Sequence, residues 1–141
     1  MSTSIGYGKS FTTQYLAEGK VEQALAEANK LIGVDPADPE PVLDRAQVYL
    51  AMGRNEDVVA DIEQTLLLDK AVQIVEDAVV DDTLFSALLA WGQKLAPSNP
   101  EQGVEILARY RRILPAGIHH ADVDEWTARF RGQVKTWVKA R

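Results

Sequence analysis

At 141 residues, 46% hydrophobic and 26% charged, the chain is long enough for one domain with a real core, and its composition is that of soluble globular material rather than a disordered chain. A formal charge of -6 argues against general nucleic-acid binding, which needs a basic face, and the absence of cysteine removes disulfides, thiolate nucleophiles and sulfur-ligated zinc from consideration. The charge is uneven, since residues 1–104 hold 7 Lys/Arg against 17 Asp/Glu and residues 105–141 hold 8 against 4.

The first motif met is "IGYGKS" at residues 5–10, whose Gly8-Lys9-Ser10 has the look of a phosphate-binding loop. Such a loop needs a further glycine five residues before Gly8 and a buried strand ahead of it. Position 3 is a threonine, and only seven residues precede Gly8. The segment is therefore read as the frayed entrance to a first helix, with Lys9 and Ser10 on its surface. The same N-terminal stretch lacks the apolar core of a secretory signal, and no apolar run approaches the roughly 18 residues needed to span a bilayer, so a cytoplasmic protein is expected.

A separation of 34 then governs the first half of the chain. Tyr15-Leu16-Ala17 recurs as Tyr49-Leu50-Ala51, Gly19-Lys20 as Gly53-Arg54, and Asp35 as Asp69. Each copy predicts a helix ending near its glycine, which takes the left-handed conformation without a Cβ clash, and then a second helix. Val21, Leu25, Ala28, Leu31 and Ile32 in one copy, and Val58, Val59, Ile62 and Leu66 in the other, fall at helical spacing on one face. Asn55 is the expected cap of the later helix, with Glu56 and Asp57 in its first turn. Between the copies, "GVDPADPEP" holds three prolines in six residues, a break after which Asp38 is the expected cap.

Beyond residue 70 the register slips. Leu84, Ala87, Leu88 and Trp91 fit a first helix and Gly103, Leu107 and Pro115 a second, with "APSNP" at 96–100 as an enlarged turn. Tyr49 to Trp91 is 42 residues, eight more than the period, and the excess is assigned to residues 70–80 as an extra short helix or an extension of its neighbours. Asp81 or Asp82 is expected to cap the helix beginning near Leu84. Glu76, Asp77, Asp81 and Asp82 lack the spaced oxygens and central glycine of a calcium loop and read as solvated helix ends.

His119 and His120, followed by Asp122, Asp124 and Glu125, invite a metal hypothesis. Adjacent helical residues point about 100° apart, so a cap or loop role is expected and no metal or cofactor is. No Ser, His and acid set suggests a triad, and the chain is not read as an enzyme. Residues 121–139 predict a last helix with Val123, Trp126, Phe130, Val134 and Trp137 on one stripe and Arg129, Arg131, Lys135, Lys139 and Arg141 on its polar side. It is read as a cap on the last repeat. Otherwise Trp126, Phe130 and Trp137 make it an interaction arm for an acidic partner, a second copy or an anionic membrane surface.

Two helices per 34 residues, with Phe11, Thr12, Tyr15, Ala24, Ala28 and Pro36 in one copy and Val42, Ala46, Tyr49, Val58 and Ile62 in the other, resemble the tetratricopeptide repeat family. Gly8, Arg45 and Lys70 depart from its pattern. The resemblance covers about residues 5–115 and implies an all-α solenoid in a single domain 1–141. Two repeats would occupy 1–69, an irregular third 70–115, and a C-terminal amphipathic helix 116–141. It further implies a concave groove lined by Lys9, Thr13, Leu16, Leu43, Asp44, Gln47, Leu50, Phe85 and Leu89 that takes a peptide or partner helix. The carboxylate clamp of one subclass is not expected, because Thr13 and Asp44 stand where asparagines belong and Asp82 where a basic residue belongs. The expected role is a non-catalytic adaptor or scaffold for a protein partner, with a secretion-type chaperone or a self-assembling subunit as alternatives.

Overall fold

A computed structural model describes residues 10–69 and 77–132, and every regular element among them is a helix. The chain divides into two compact units, Met1–Val80 and Asp81–Arg141.

In the first unit, α1 (Phe11–Ala17) and α2 (Val21–Val34) are followed by α3 (Pro39–Ala51) and α4 (Asn55–Leu68). The 34-residue offset of the sequence returns as an offset of helix ends, 17 to 51, 21 to 55 and 34 to 68. Gly19 and Gly53 have φ of 77° and 75°. Their amides donate to the carbonyls of Leu16 and Leu50, and the next amides, of Lys20 and Arg54, reach back to Tyr15 and Tyr49 at 2.8 and 2.9 Å. This is the paired closure that ends a helix through a left-handed residue, and it fixes the turn into the second helix in the same way twice.

The caps follow from the same local chemistry. Asp38 accepts from the Glu40 amide at 3.0 Å ahead of a helix that opens on Pro39. Asn55, expected as a cap, is instead the first helical residue and buried, with Arg54 at the cap position. The glycine turn sets this, because the Arg54 carbonyl already accepts from the Val58 amide at 3.1 Å and closes the first turn one residue early. Ser10, expected on the helix surface, caps α1 by accepting from the Thr13 amide.

Ala24 and Ala28 of α2 and Ala46 of α3 are fully buried beside Val42, Val48, Val58 and Ile62, so small side chains let the helices approach closely. Arg45, the polar departure from the repeat pattern, is absorbed by pairing. Its Nε and Nη2 donate to the two carboxylate oxygens of Asp61 at 2.8 Å each, and its Nη1 donates to the Asn29 side chain at 2.9 Å. Three helices are thus tied by one guanidinium.

The second unit holds most of α5 (Asp77–Leu95), α6 (Pro100–Ile113) and α7 (His120–Phe130). Because α5 starts at Asp77, well before Leu84, Asp81 and Asp82 lie inside it and cap nothing. The stretch Asp77–Val80 extends this helix, and residues 70–76 of the segment assigned to the register slip lie outside the described residues. Asn99 caps α6 by accepting from the Gln102 amide at 3.2 Å, as the "APSNP" turn suggests. The two helices cross where neither has a side chain. A Cβ on Gly103 would stand 2.9 Å from the Gly92 carbonyl oxygen and 2.9 Å from the Ala96 Cβ.

Helix α7 packs on α6 and buries Val123 and Phe130. It ends at Phe130, with Arg131 as its cap and Gly132 at φ 74°, where a continuous helix to residue 139 was expected. The left-handed glycine closes α7. Val134 and Trp137 lie outside the described residues.

Candidate functional site

The site is built on α1 and α3, the first helices of the two 34-residue copies, which pack against one another. Equivalent positions carry Thr13 and Gln47, Leu16 and Leu50, and Ser10 and Asp44, each pair 34 apart. All six side chains are half-buried, so each combines a fixed position with an accessible part. The Ser10 hydroxyl donates to Asp44 Oδ2 at 3.3 Å and joins the start of α1 to the middle of α3.

Of the groove residues expected from the sequence, Thr13 and Leu16 lie half-buried on α1, and Asp44, Gln47 and Leu50 half-buried on α3. Leu43 does not join them as a surface residue. It is 7% exposed and belongs to the core, since it sits one helical position from Asp44 and turns inward with Val42 and Ala46. Lys9 lies outside the described residues. Phe85 and Leu89 belong to the second unit. There Phe85 stacks on the His119 ring at 4.3 Å between centroids and meets Tyr110 edge-on at 5.9 Å, an arrangement that engages its ring within that unit.

Electrostatics set Asp44 apart. Burial, followed by the neighbouring charges of Glu40 and Asp38, pushes its carboxyl up to about 6, with the Ser10 hydroxyl pulling the other way. Burial and the charges of Asp38 and Asp69 likewise raise Glu40. Asp61, a buried acid of the same unit, has the Arg45 guanidinium on both oxygens. No cation among the described residues forms an ion pair with Asp44.

In the second unit, Trp126 is half-buried under the Arg129 guanidinium, 4.9 Å from its ring, and borders a cleft of about 470 Å³ with Gln93, Ala96, Pro97 and Phe130. Phe130 is buried, and Trp137 lies outside the described residues. The two histidines are occupied separately. His119, at the start of α7, has Nδ1 2.8 Å from Asp122 and Nε2 2.9 Å from Asp82, while His120 Nε2 is 3.1 Å from the Leu114 carbonyl. Among the described residues no group of three or more His or acid side chains is arranged to hold a metal ion. Nor is any helix among them long and apolar enough to cross a membrane.

The structure also exposes a polar knot that the sequence reading passed over. Asp81 accepts from the Tyr110 hydroxyl and from the Ile118 amide at 2.9 Å, and the Tyr110 oxygen accepts in turn from the His119 amide at 2.9 Å. Burial and the bond to Asp81 push the Tyr110 hydroxyl up to about 12. A signal for it was present, because Asp81 falls on the apolar stripe of Leu84 and Leu88, where an acid must find a donor. Asp61 falls on the stripe of Val58 and Thr65 in the same way.

Comparison of the chain with family models, with curated proteins and with solved structures finds no match.

Proposed function

We propose that the protein is a non-catalytic adaptor of the tetratricopeptide type, which binds a peptide or helix of a protein partner along the α1 and α3 face. The observation that supports this reading is the translational repeat of that face. Helices related by 34 residues carry Thr13 and Gln47, and Leu16 and Leu50, at equivalent positions, and a repeated set of half-exposed amide, hydroxyl and aliphatic groups suits an extended or helical ligand read at successive side chains. Leu16 and Leu50 supply apolar contact area, and Thr13 and Gln47 supply hydrogen bonds that fix register.

The test is crosslinking from the face itself. A photo-crosslinking amino acid in place of Gln47 should capture a discrete partner in cells, whereas the same residue in place of the exposed Glu63 on α4 should not. The double change Leu16→Glu and Leu50→Glu should abolish the Gln47 crosslink and leave helicity intact. Equal capture from both positions, or loss of folding in the double variant, would overturn the reading.

A further inference from the structure

Resting on that reading, we propose that the segment bound on the α1 and α3 face is basic and partly aliphatic, with a lysine or arginine side chain of the partner seated against Asp44 and its apolar neighbours lying on Leu16 and Leu50.

The first support is a contrast within one unit. Asp61 and Asp44 are both drawn into helix packing, yet Asp61 is gripped by a bidentate guanidinium while Asp44 receives only a serine hydroxyl at 3.3 Å. The charges around Asp44 are of its own sign, Glu40 and Asp38 on or beside α3, and the α1 sequence FTTQYLA brings no charged side chain opposite them. A carboxylate so placed carries a desolvation cost that no cation among the described residues offsets, and an incoming guanidinium or ammonium offsets it on binding.

The second support is the field of the whole unit. Residues 1–80 hold 6 Lys/Arg against 14 Asp/Glu, so a cationic segment is drawn towards this unit and an acidic one is repelled. The aliphatic part of the specificity follows from Leu16 and Leu50, half-buried at equivalent positions of the two copies, each six residues on from Ser10 and Asp44 along α1 and α3. Seating a cation would also favour the charged carboxylate. Binding should therefore release a proton near pH 6 and strengthen as pH rises from 5 to 7.5, the direction set by the raised carboxyl of Asp44.

The experiment is selection of a displayed random heptapeptide library on the full chain, followed by affinity measurements with the selected peptides. Parent protein should enrich peptides with a Lys or Arg beside an aliphatic residue. Asp44→Asn should bind them about tenfold more weakly, consistent with the loss of one charge-assisted contact, and should lose the gain between pH 5 and pH 7.5. Glu63→Gln, which removes one charge from α4, should leave affinity unchanged. Circular dichroism keeps the result interpretable, because Asp44→Asn should retain helicity.

Enrichment of uncharged or acidic peptides that still depend on Leu16 and Leu50 would overturn the cationic assignment and leave the adaptor reading standing. Equal binding by parent and Asp44→Asn would do the same, while failure to enrich any peptide would sink both. Concentration-dependent self-association that Asp44→Asn abolishes would overturn the assignment to a separate partner, since the occupant would then be a basic stretch of a second copy.

Discussion

Arg45 and Asp61 form a two-pronged ion pair between α3 and α4, both bonds at 2.8 Å, with the Asp61 carboxylate only 7% exposed. The same guanidinium reaches Asn29 on α2 and lies 5.6 Å from the centre of the Tyr49 ring. A charged residue at a position where the repeat pattern asks for an apolar one is accommodated because each of its three guanidinium nitrogens has an acceptor.

Arg45→Ala should therefore be costly, since it leaves Asp61 buried without a cation. A loss of about 2–4 kcal/mol is expected, near the range for breaking a buried pair and reduced for the part of Arg45 that remains exposed. The double change Arg45→Met and Asp61→Leu should recover most of that loss, because two apolar side chains of similar size need no partner. Urea unfolding of the parent and the two variants measures the loss and its recovery, and a double variant no more stable than Arg45→Ala would show that the pair is not what fixes this helix contact.

Gly103→Ala should destabilise the second unit, since the added methyl meets the Gly92 carbonyl and the Ala96 Cβ, both at 2.9 Å. The clash is with backbone and with a side chain that has no rotamer to yield. A cost of about 1–3 kcal/mol, typical of overpacking, should outweigh the few tenths to one kcal/mol gained from helix propensity. The midpoint of thermal unfolding checks this, and a rise in that midpoint would mean that α5 and α6 separate easily.

Stability should fall as pH rises above the ordinary histidine range. Burial pulls the His119 pKa down, but its hydrogen bonds to Asp122 and Asp82 overcome that pull and hold it above the usual 6.5. A raised histidine contributes stability that is fully present below the unfolded value near 6.5 and is lost as pH rises through the folded one. Melting temperature measured from pH 6 to pH 9 should decline in the parent, and the decline should flatten in His119→Gln. Asp44 adds a decline of the same sign at lower pH. Its folded value of about 6 exceeds the ordinary 3.8, so its contribution is present below 3.8 and gone above about 6. A parent curve that rises between pH 6.5 and 8 would show that His119 is not held as an imidazolium.

The features legible in the sequence are those that depend on neighbours along the chain. The left-handed glycines at 19 and 53, the cap at Asp38, the prolines that part the two copies and the turn before Pro100 rest on backbone preferences acting over about four residues, and they return in the structure, as does the 34-residue offset that repeats them. Such preferences are intrinsic to a residue and its immediate neighbours, so position in the chain suffices to read them.

Tertiary structure alone decided which polar groups are buried and what they meet. Asp61 with Arg45 spans 16 residues, Tyr110 with Asp81 29, and Ser10 with Asp44 34, so none of these partners is visible in a local window. Asn55 lost its expected cap to a turn closed one residue earlier, the helix expected over 121–139 ends at Phe130, and Leu43 faced the core because α3 rotates to bury Val42 and Ala46 beside it. The periodicity of the sequence named the stripes. Which acid on a stripe is matched by a cation depends on what the neighbouring helix brings opposite it, and only packing sets that.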